Sequence, residues 1–366
     1  MAVSIDVRVP AKTRSAVPYQ AGRPIDDVAR QLGLDPATIV KLASNENPLG
    51  MSPLAAAALV TVDSVRYPDA GGHALKAALS THLGVDPSWI TLGNGSENVL
   101  ELIAKAFLEP GTSAVSGQYA FVVWEQSVRA VGADAIVVPA RHHGNDLAAL
   151  RAAVQPNTVA LYIANPNNPT GTFIAEAELV AFLESMPSTV LVVLDEAYNE
   201  YLPPHLRMDS VAFVRRFSNV VLTRTFSKVY GLAGLRVGYS VSHPDIAELM
   251  NRLRLVFNVS APAQAAAAAA LDDHDFLQRS YDTNQAGMAQ LTAALDDAGI
   301  TYVASLGNFV MMHVGDGAAV NDALLRQGVI VRPMAMYGLP QWLRVSIGLP
   351  EENARFISAL MKALGR

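Results

Sequence analysis

"NVVLTRTFSKVYGLAGLRVG", residues 219–238, joins a run of β-branched and apolar residues to a segment that carries Lys228 and Arg236 among small and apolar neighbours. A salt-bridged surface would interleave acids here, yet none occurs between Phe226 and Gly238. The apolar run ends in polar residues, the pattern of a buried parallel strand whose carboxyl end opens onto a site. The same pattern returns at "ADAIVVPA" (133–140), "VALYIANP" (159–166) and "TVLVVLDEAY" (189–198). "WITLGN" (89–94) leads into "SENVLELIAKAFLEP", where Val99, Leu102, Ile103 and Ala106 fall at helical spacing. "AEAELVAFLESM" (175–186) is a further helical stretch between strands. Alternating β and α segments predict an α/β fold, a mostly parallel sheet covered by helices on both faces.

Beyond about residue 258 the texture changes. "AQAAAAAAL" (263–271) reads as a closely packed helix, and "SYDTNQAGMAQLTAALDDAG" (280–299) as another. "FVMMHV" (309–314) and "WLRVSIG" (342–348) read as strands. In "PEENARFISALMKALGR", Pro350 and two glutamates start a helix with Phe356, Ile357, Leu360, Met361 and Leu364 on one face. The expected division is an amino-terminal arm and start of a small domain at 1–44, a large domain at 45–258, and a smaller α+β domain at 259–366.

Composition bounds the chemistry. The chain has 366 residues, 51% hydrophobic and 16% charged, enough for a large core and against global disorder. Mean hydropathy is +0.24, but no stretch approaches the roughly 18 apolar residues of a spanning helix. With a net charge of −6 and no basic patch, nucleic acid is not expected as a partner. The absence of cysteine removes disulfides, thiolate metal sites and cysteine nucleophiles, and no metal is expected. "MAVSIDVRVPAKTRSAVPYQ" lacks the continuous apolar core of a secretory signal, so the expected location is the cytoplasm.

The polar residues gather where strands end. "NPNNPTG" (165–171) is by itself a rigid turn, Asp195 a helix cap or surface acid, and "LGNGSEN" (92–98) a glycine turn into a helix. A lysine among apolar residues ordinarily carries its ammonium out to solvent. Taken together, four strand ends in chain order offer a phosphate cradle at a helix amino terminus, an amide, a carboxylate, and a lysine followed by an arginine. Pyridoxal phosphate needs all of these: a lysine for a Schiff base, an acid at the pyridinium nitrogen and donors for its phosphate. Gly93 and Gly95 lack the spacing of a dinucleotide fingerprint, which argues against a nicotinamide enzyme.

"NPNNPTG", "DEAYNEY" and "TFSKVYGLAGLRVG", in this order, resemble the fold-type I pyridoxal phosphate aminotransferases. "VPYQAGRP" (17–24), "KLASNENPLG" (41–50), "RYPD" (66–69), "LGNGSEN" and "GVIVRPM" (328–334) are similar to the histidinol-phosphate aminotransferases in particular. The resemblance spans roughly residues 17 to 350. It implies that Lys228 binds the cofactor covalently and then moves the substrate α-proton, while Asp195 keeps the pyridine nitrogen protonated. Asn168 and Tyr198 would bond the phenolic oxygen. Ser96 and Glu97 (through backbone N–H), Thr225, Ser227 and Arg236 would hold the phosphate, and this would explain two cations without local acids. Phe121 would stack on the ring, with Trp124 and Tyr119 as alternatives, because the usual proline-led stretch is replaced by "GQYAFVVW" (117–124). Two further departures are Val229, where the family has a small residue after the lysine, and Glu97, where an aspartate is common.

For the substrates, the resemblance assigns Arg344 to the α-carboxylate and Tyr19, Asn47 and Arg332 to a side-chain phosphate pocket. It places Tyr67 in the site of a neighbouring subunit, making a homodimer. The expected reaction moves an amino group between L-histidinol phosphate and 2-oxoglutarate. Alternatives are an aromatic amino acid aminotransferase or a pyridoxal phosphate decarboxylase of a phosphorylated amino acid. A cofactor-binding regulator that senses amines would need a DNA-binding segment, for which the short, nonbasic amino terminus has no room.

Overall fold

The computed structural model describes Val9, Ala11–Arg14 and residues 22–366. The larger layer is a seven-stranded sheet of β1 (Ile90–Gly93), β2 (Ser113–Gly117), β3 (Asp134–Val138), β4 (Thr158–Ala164), β5 (Leu191–Asp195), β6 (Val220–Thr225) and β7 (Gly238–Val241). Its order is β1-β7-β6-β5-β4-β2-β3. All pairings are parallel except those of β7, which runs against both neighbours.

The continuous apolar runs are explained by burial on both faces. Along β4, β5 and β6, Leu161, Ile163, Val192, Leu194, Val220 and Leu222 enter one core cluster. The alternate residues Ala160, Tyr162, Ala164, Leu191, Val193 and Val221 enter another, on the opposite face. That second face is covered by α2 (Gly95–Phe107) and α3 (Val122–Val131), whereas α1 (Pro53–Leu59) covers the first. The run at 133–140 differs from its reading as a buried strand. As β3 it forms the sheet edge, and Val137 is 40% exposed there because one flank has no neighbour.

The alanine-rich helix α4 (Ala261–Ala270) follows the expected cut at 258 but packs on α1. Ala263, Ala266, Ala267 and Ala270 share the core of the large sheet, since methyl side chains let the two helices lie close together. The connection to the smaller domain is instead α5 (His274–Asp297), one helix of 24 residues. It begins beside α1, where Ser52 Oγ donates to Asp273 Oδ2 at 2.6 Å, and buries Leu291 and Leu295 in the small-domain core. That core lies beneath β8 (Tyr302–Val303), β9 (Phe309–His313), β10 (Arg332–Pro333) and β11 (Trp342–Ser346), an antiparallel sheet of order β10-β11-β9-β8. Helices α6 (Gly317–Arg326) and α7 (Pro350–Ala363) complete it. Val40–Lys41 pairs in parallel with Val329–Ile330, tying the early chain to this domain. Among the described residues no helix is long and apolar enough to cross a membrane.

Candidate active site

A cavity of about 370 Å³ opens at the carboxyl ends of β4, β5 and β6, against the edge of the small domain. Ser96, Glu97, Phe121, Thr225, Ser227 and Arg236 line one part of it. Asn168, Asp195, Tyr198, Lys228, Arg332 and Arg344 line the rest.

Asp195 is the last residue of β5 and is 5% exposed. Its Oδ2 accepts from the Tyr162 hydroxyl at 2.8 Å and its Oδ1 from Ala197 N at 3.2 Å. Burial pushes its carboxyl up to about 6, against the lowering effect of these donors. Lys228 Nζ donates to Ser44 O at 3.1 Å and lies 5.8 Å from the centroid of the Tyr198 ring. Burial, and then the Arg344 guanidinium, lower the Lys228 amine to about 8. The Tyr198 hydroxyl accepts from Asn45 Nδ2 at 2.9 Å, so its own proton remains to be donated.

The anion cradle has two walls. Helix α2 begins with no side-chain capping bond from Asn94, which leaves the first N–H groups for a ligand. Arg236 forms the other wall from a left-handed backbone, φ 54°, unusual for a side chain with a Cβ. A Cβ on Gly95 would stand 2.6 Å from Arg236 Nη2, and one on Gly238 would stand 2.4 Å from Ser96 N. Glycine at both positions is what lets these walls meet. Thr225 Oγ1 accepts from Ser227 N at 3.1 Å, and Arg236 Nη1 donates to Ala233 O at 3.2 Å. The expectation that Arg236 lacks an acidic neighbour needs correcting. Glu97, distant in sequence, places Oε2 3.8 Å from Nη2, a long contact between half-exposed groups that contributes little.

Arg344 and Arg332 are direct partners across β10 and β11, so they emerge side by side on one face, and both are buried. Arg344 Nη1 donates to Asn168 Oδ1 at 2.6 Å and Nη2 to Ala43 O at 2.9 Å. With Asn168 Oδ1 so engaged, the amide group it offers the cavity is a donor. The residues fit pyridoxal phosphate on three counts: a buried carboxylate with no ion pair among the described residues, a partly neutral lysine and an uncapped helix start facing a guanidinium.

The class I and II aminotransferase family model matches residues 37–360. The chain belongs to this family. It is 57% identical to histidinol-phosphate aminotransferase 1 of Cupriavidus pinatubonensis, over 97% of this chain and 96% of that one. It is 56% identical to histidinol-phosphate aminotransferase 2 of Ralstonia nicotianae, over 98% and 97%. Among solved structures, the histidinol-phosphate aminotransferase of Sinorhizobium meliloti in complex with pyridoxal 5'-phosphate superposes with a TM-score of 0.91. That match has 30% identity and covers 99% of both chains. The fold is therefore that of the fold-type I aminotransferases, and this aminotransferase is a pyridoxal phosphate-dependent transferase.

Other expected residues of the aminotransferase lie elsewhere. Asn47 does not line the cavity; its Nδ2 donates to Val229 O at 2.7 Å and to Ser280 Oγ at 2.8 Å. Its amide is spent on holding the segment after Lys228, where Val229 is buried in the large core. Of the three candidate rings only Phe121 lines the cavity. Trp124 is buried against Tyr162, with centroids 5.4 Å apart, and Tyr119 stacks on His143. Tyr67 is 81% exposed and stacks on Phe257, away from its own chain's cavity. Tyr19 lies outside the described residues.

The structure adds Tyr162, Asn45, Ser44 and Tyr337 to the cavity lining. Tyr162 had a visible signal, a lone hydroxyl within an apolar strand. Asn45 and Ser44 lay inside the quoted "KLASNENPLG" but carried no spacing rule, and Tyr337 had no sequence signal.

Proposed function

We propose that this aminotransferase moves an amino group between L-histidinol phosphate and 2-oxoglutarate, placing it in histidine biosynthesis. The observation that carries the substrate reading is the pair of buried guanidiniums, Arg332 and Arg344, at neighbouring positions of β10 and β11. Both substrates bring anionic groups beyond the reacting carbon: a phosphate dianion in one, two carboxylates in the other. A guanidinium binds either through paired, charge-assisted hydrogen bonds. The names of the relatives at 56–57% identity support the same reading.

When bound, pyridoxal phosphate withdraws electrons from the substrate α-carbon and makes its proton acidic. Asp195, in this proposal, holds the proton on the pyridine nitrogen, which sustains that withdrawal. Lys228 moves the proton between the α-carbon and the cofactor's aldehyde carbon. An amine lowered to about 8 has a larger neutral fraction near neutrality than an ordinary lysine. Tyr198 and Asn168 donate to the phenolic oxygen. The start of α2 with Thr225, Ser227 and Arg236 takes the phosphate, and Phe121 covers a ring face. Arg344 takes the α-carboxylate of the oxo acid and, with Arg332, the phosphate of the amine.

The proposal extends to a homodimer in the cytoplasm. Tyr67 stands in an exposed apolar patch with Val65, Leu255, Val256 and Phe257, a surface suited to a second copy of the chain, whose site Tyr67 would reach. The large domain in this proposal begins near residue 45 and runs through α4 to Leu271, because that helix shares its core.

A single variant tests the substrate reading. A charge-assisted hydrogen bond contributes about 1.5–3 kcal/mol, so Arg332→Ala should raise KM for histidinol phosphate by about tenfold or more. Phenylalanine and tyrosine, which carry no phosphate, should be nearly unaffected. Equal losses for all three would make Arg332 structural, and a wild type preferring phenylalanine would move the assignment to aromatic substrates.

A further inference from the structure

Asp195 is held by a side chain that motif reading does not single out. Tyr162 lies on β4 two residues before Ala164, the direct neighbour of Asp195 on β5. Tyr162 and Asp195 therefore share one face of the sheet on a diagonal, and the phenol reaches Oδ2 at 2.8 Å. The Tyr162 ring is fully buried and lies flat on Trp124, with planes 15° apart. Trp124 is itself 1% exposed in the core between α3 and the sheet. The hydroxyl is thus fixed in direction by packing behind it. With Ala197 N on Oδ1, each carboxylate oxygen holds one protein donor, and the carboxylate plane is set.

We propose that Tyr162, braced by Trp124, is a positioning residue for Asp195, fixing its carboxylate plane and favouring its ionised form at the pyridine nitrogen. This rests on the reading that Asp195 is the partner of that nitrogen. Donation from a hydroxyl stabilises a carboxylate and opposes the burial that favours its neutral form. Burial and the charge of Asp195 push the Tyr162 phenol far above its ordinary range, so it stays a donor at every working pH. The other groups facing Asp195 are Lys228 and Tyr198 from the cavity and Thr223 from β6. Beside it, Glu196 is paired with Arg224 at 2.8 Å. Tyr337 adds a further phenol near Tyr162 and Tyr198.

The test uses the cofactor-free protein, in which Trp124 reports on its own stack. In a Trp89→Phe/Trp342→Phe background, emission followed from pH 4 to 8 should show a step near pH 6, where burial places the Asp195 carboxyl. The step should vanish in Asp195→Asn. Tyr162→Phe, which keeps the ring and loses the donor, should move it upward by about one pH unit. Replacing Tyr162 with 3-fluorotyrosine, a stronger donor of nearly the same size, should move it downward. In the holoenzyme Tyr162→Phe should lower kcat more than it raises KM and shift the acid limb of the kcat profile the same way. An unmoved step in both replacements would overturn the proposal. A moved step with normal cofactor binding and turnover in Asp195→Asn would instead overturn the role given to Asp195, leaving the Tyr162 contact standing.

Discussion

Asp195 and Lys228 illustrate at single-residue scale how a binding site keeps its charges costly until the ligand arrives. The carboxyl is raised to about 6 and the amine lowered to about 8, in both cases first by burial. For Asp195 the folded-state value lies above the ordinary 3.8, so its contribution to stability is complete below 3.8 and lost as pH rises through 6. Above that window the cofactor-free protein holds a buried carboxylate that Lys228 relieves only in part, since burial still leaves it raised. Cofactor-free Asp195→Asn is therefore expected to resist urea better than wild type at pH 8, by on the order of 3 kcal/mol. The gain should disappear below pH 4. Saturating cofactor should reverse the order, because it binds the folded wild type more tightly. Equal urea midpoints at pH 8 would mean that the buried carboxylate is already compensated.

At the scale of elements, the amino terminus of α2 and the antiparallel β7 meet at a point where no side chain fits. Gly238 has Ser96 N where its Cβ would go, so β7 can pass directly beneath the helix start. Arg236, two residues earlier, turns through a left-handed backbone to face Gly95. Sparse backbone conformations of this kind persist where surrounding contacts over-determine them. Gly238→Ala should thus displace the α2 start at an overpacking cost of about 1–3 kcal/mol. It should weaken cofactor affinity by about tenfold or more, through lost donors to the phosphate. Equilibrium titration of the cofactor's visible absorbance into cofactor-free protein measures this, and unchanged affinity would remove the α2 start from the phosphate site.

On the scale of the whole molecule, the patch around Tyr67 departs from a polar surface. Val65 is 94% exposed and Leu255 74%, next to the Tyr67–Phe257 stack. In the proposed dimer, Tyr67 completes the partner's phosphate site. Inactive Lys228→Ala and Tyr67→Phe subunits, once exchanged, should then form hybrids with one doubly impaired site and one intact site. Activity should rise after mixing. No rise in confirmed heterodimers would return Tyr67 to a purely interfacial role. Leu255→Asp should shift sedimentation towards the monomer.

Much of this was legible in the chain alone, for a local reason. Strand runs, helical spacing, the glycine turn and the lysine after "TFS" are encoded within a few residues of one another, and each element carries its own periodicity. The order of polar strand ends implied the cofactor, and the resemblance of the quoted motifs implied the family. What the tertiary structure decided was contact between distant segments. Strand register set Arg332 beside Arg344 and Tyr162 diagonal to Asp195. Packing of one alanine face on another drew α4 into the large domain, and approach of segments distant in sequence brought Glu97 to Arg236 and Asn45 to Tyr198. Asn47 sat in a matching motif yet spent its amide on the backbone of Val229. A motif specifies which groups are present, whereas their partners depend on register and packing across hundreds of residues, which no local pattern contains.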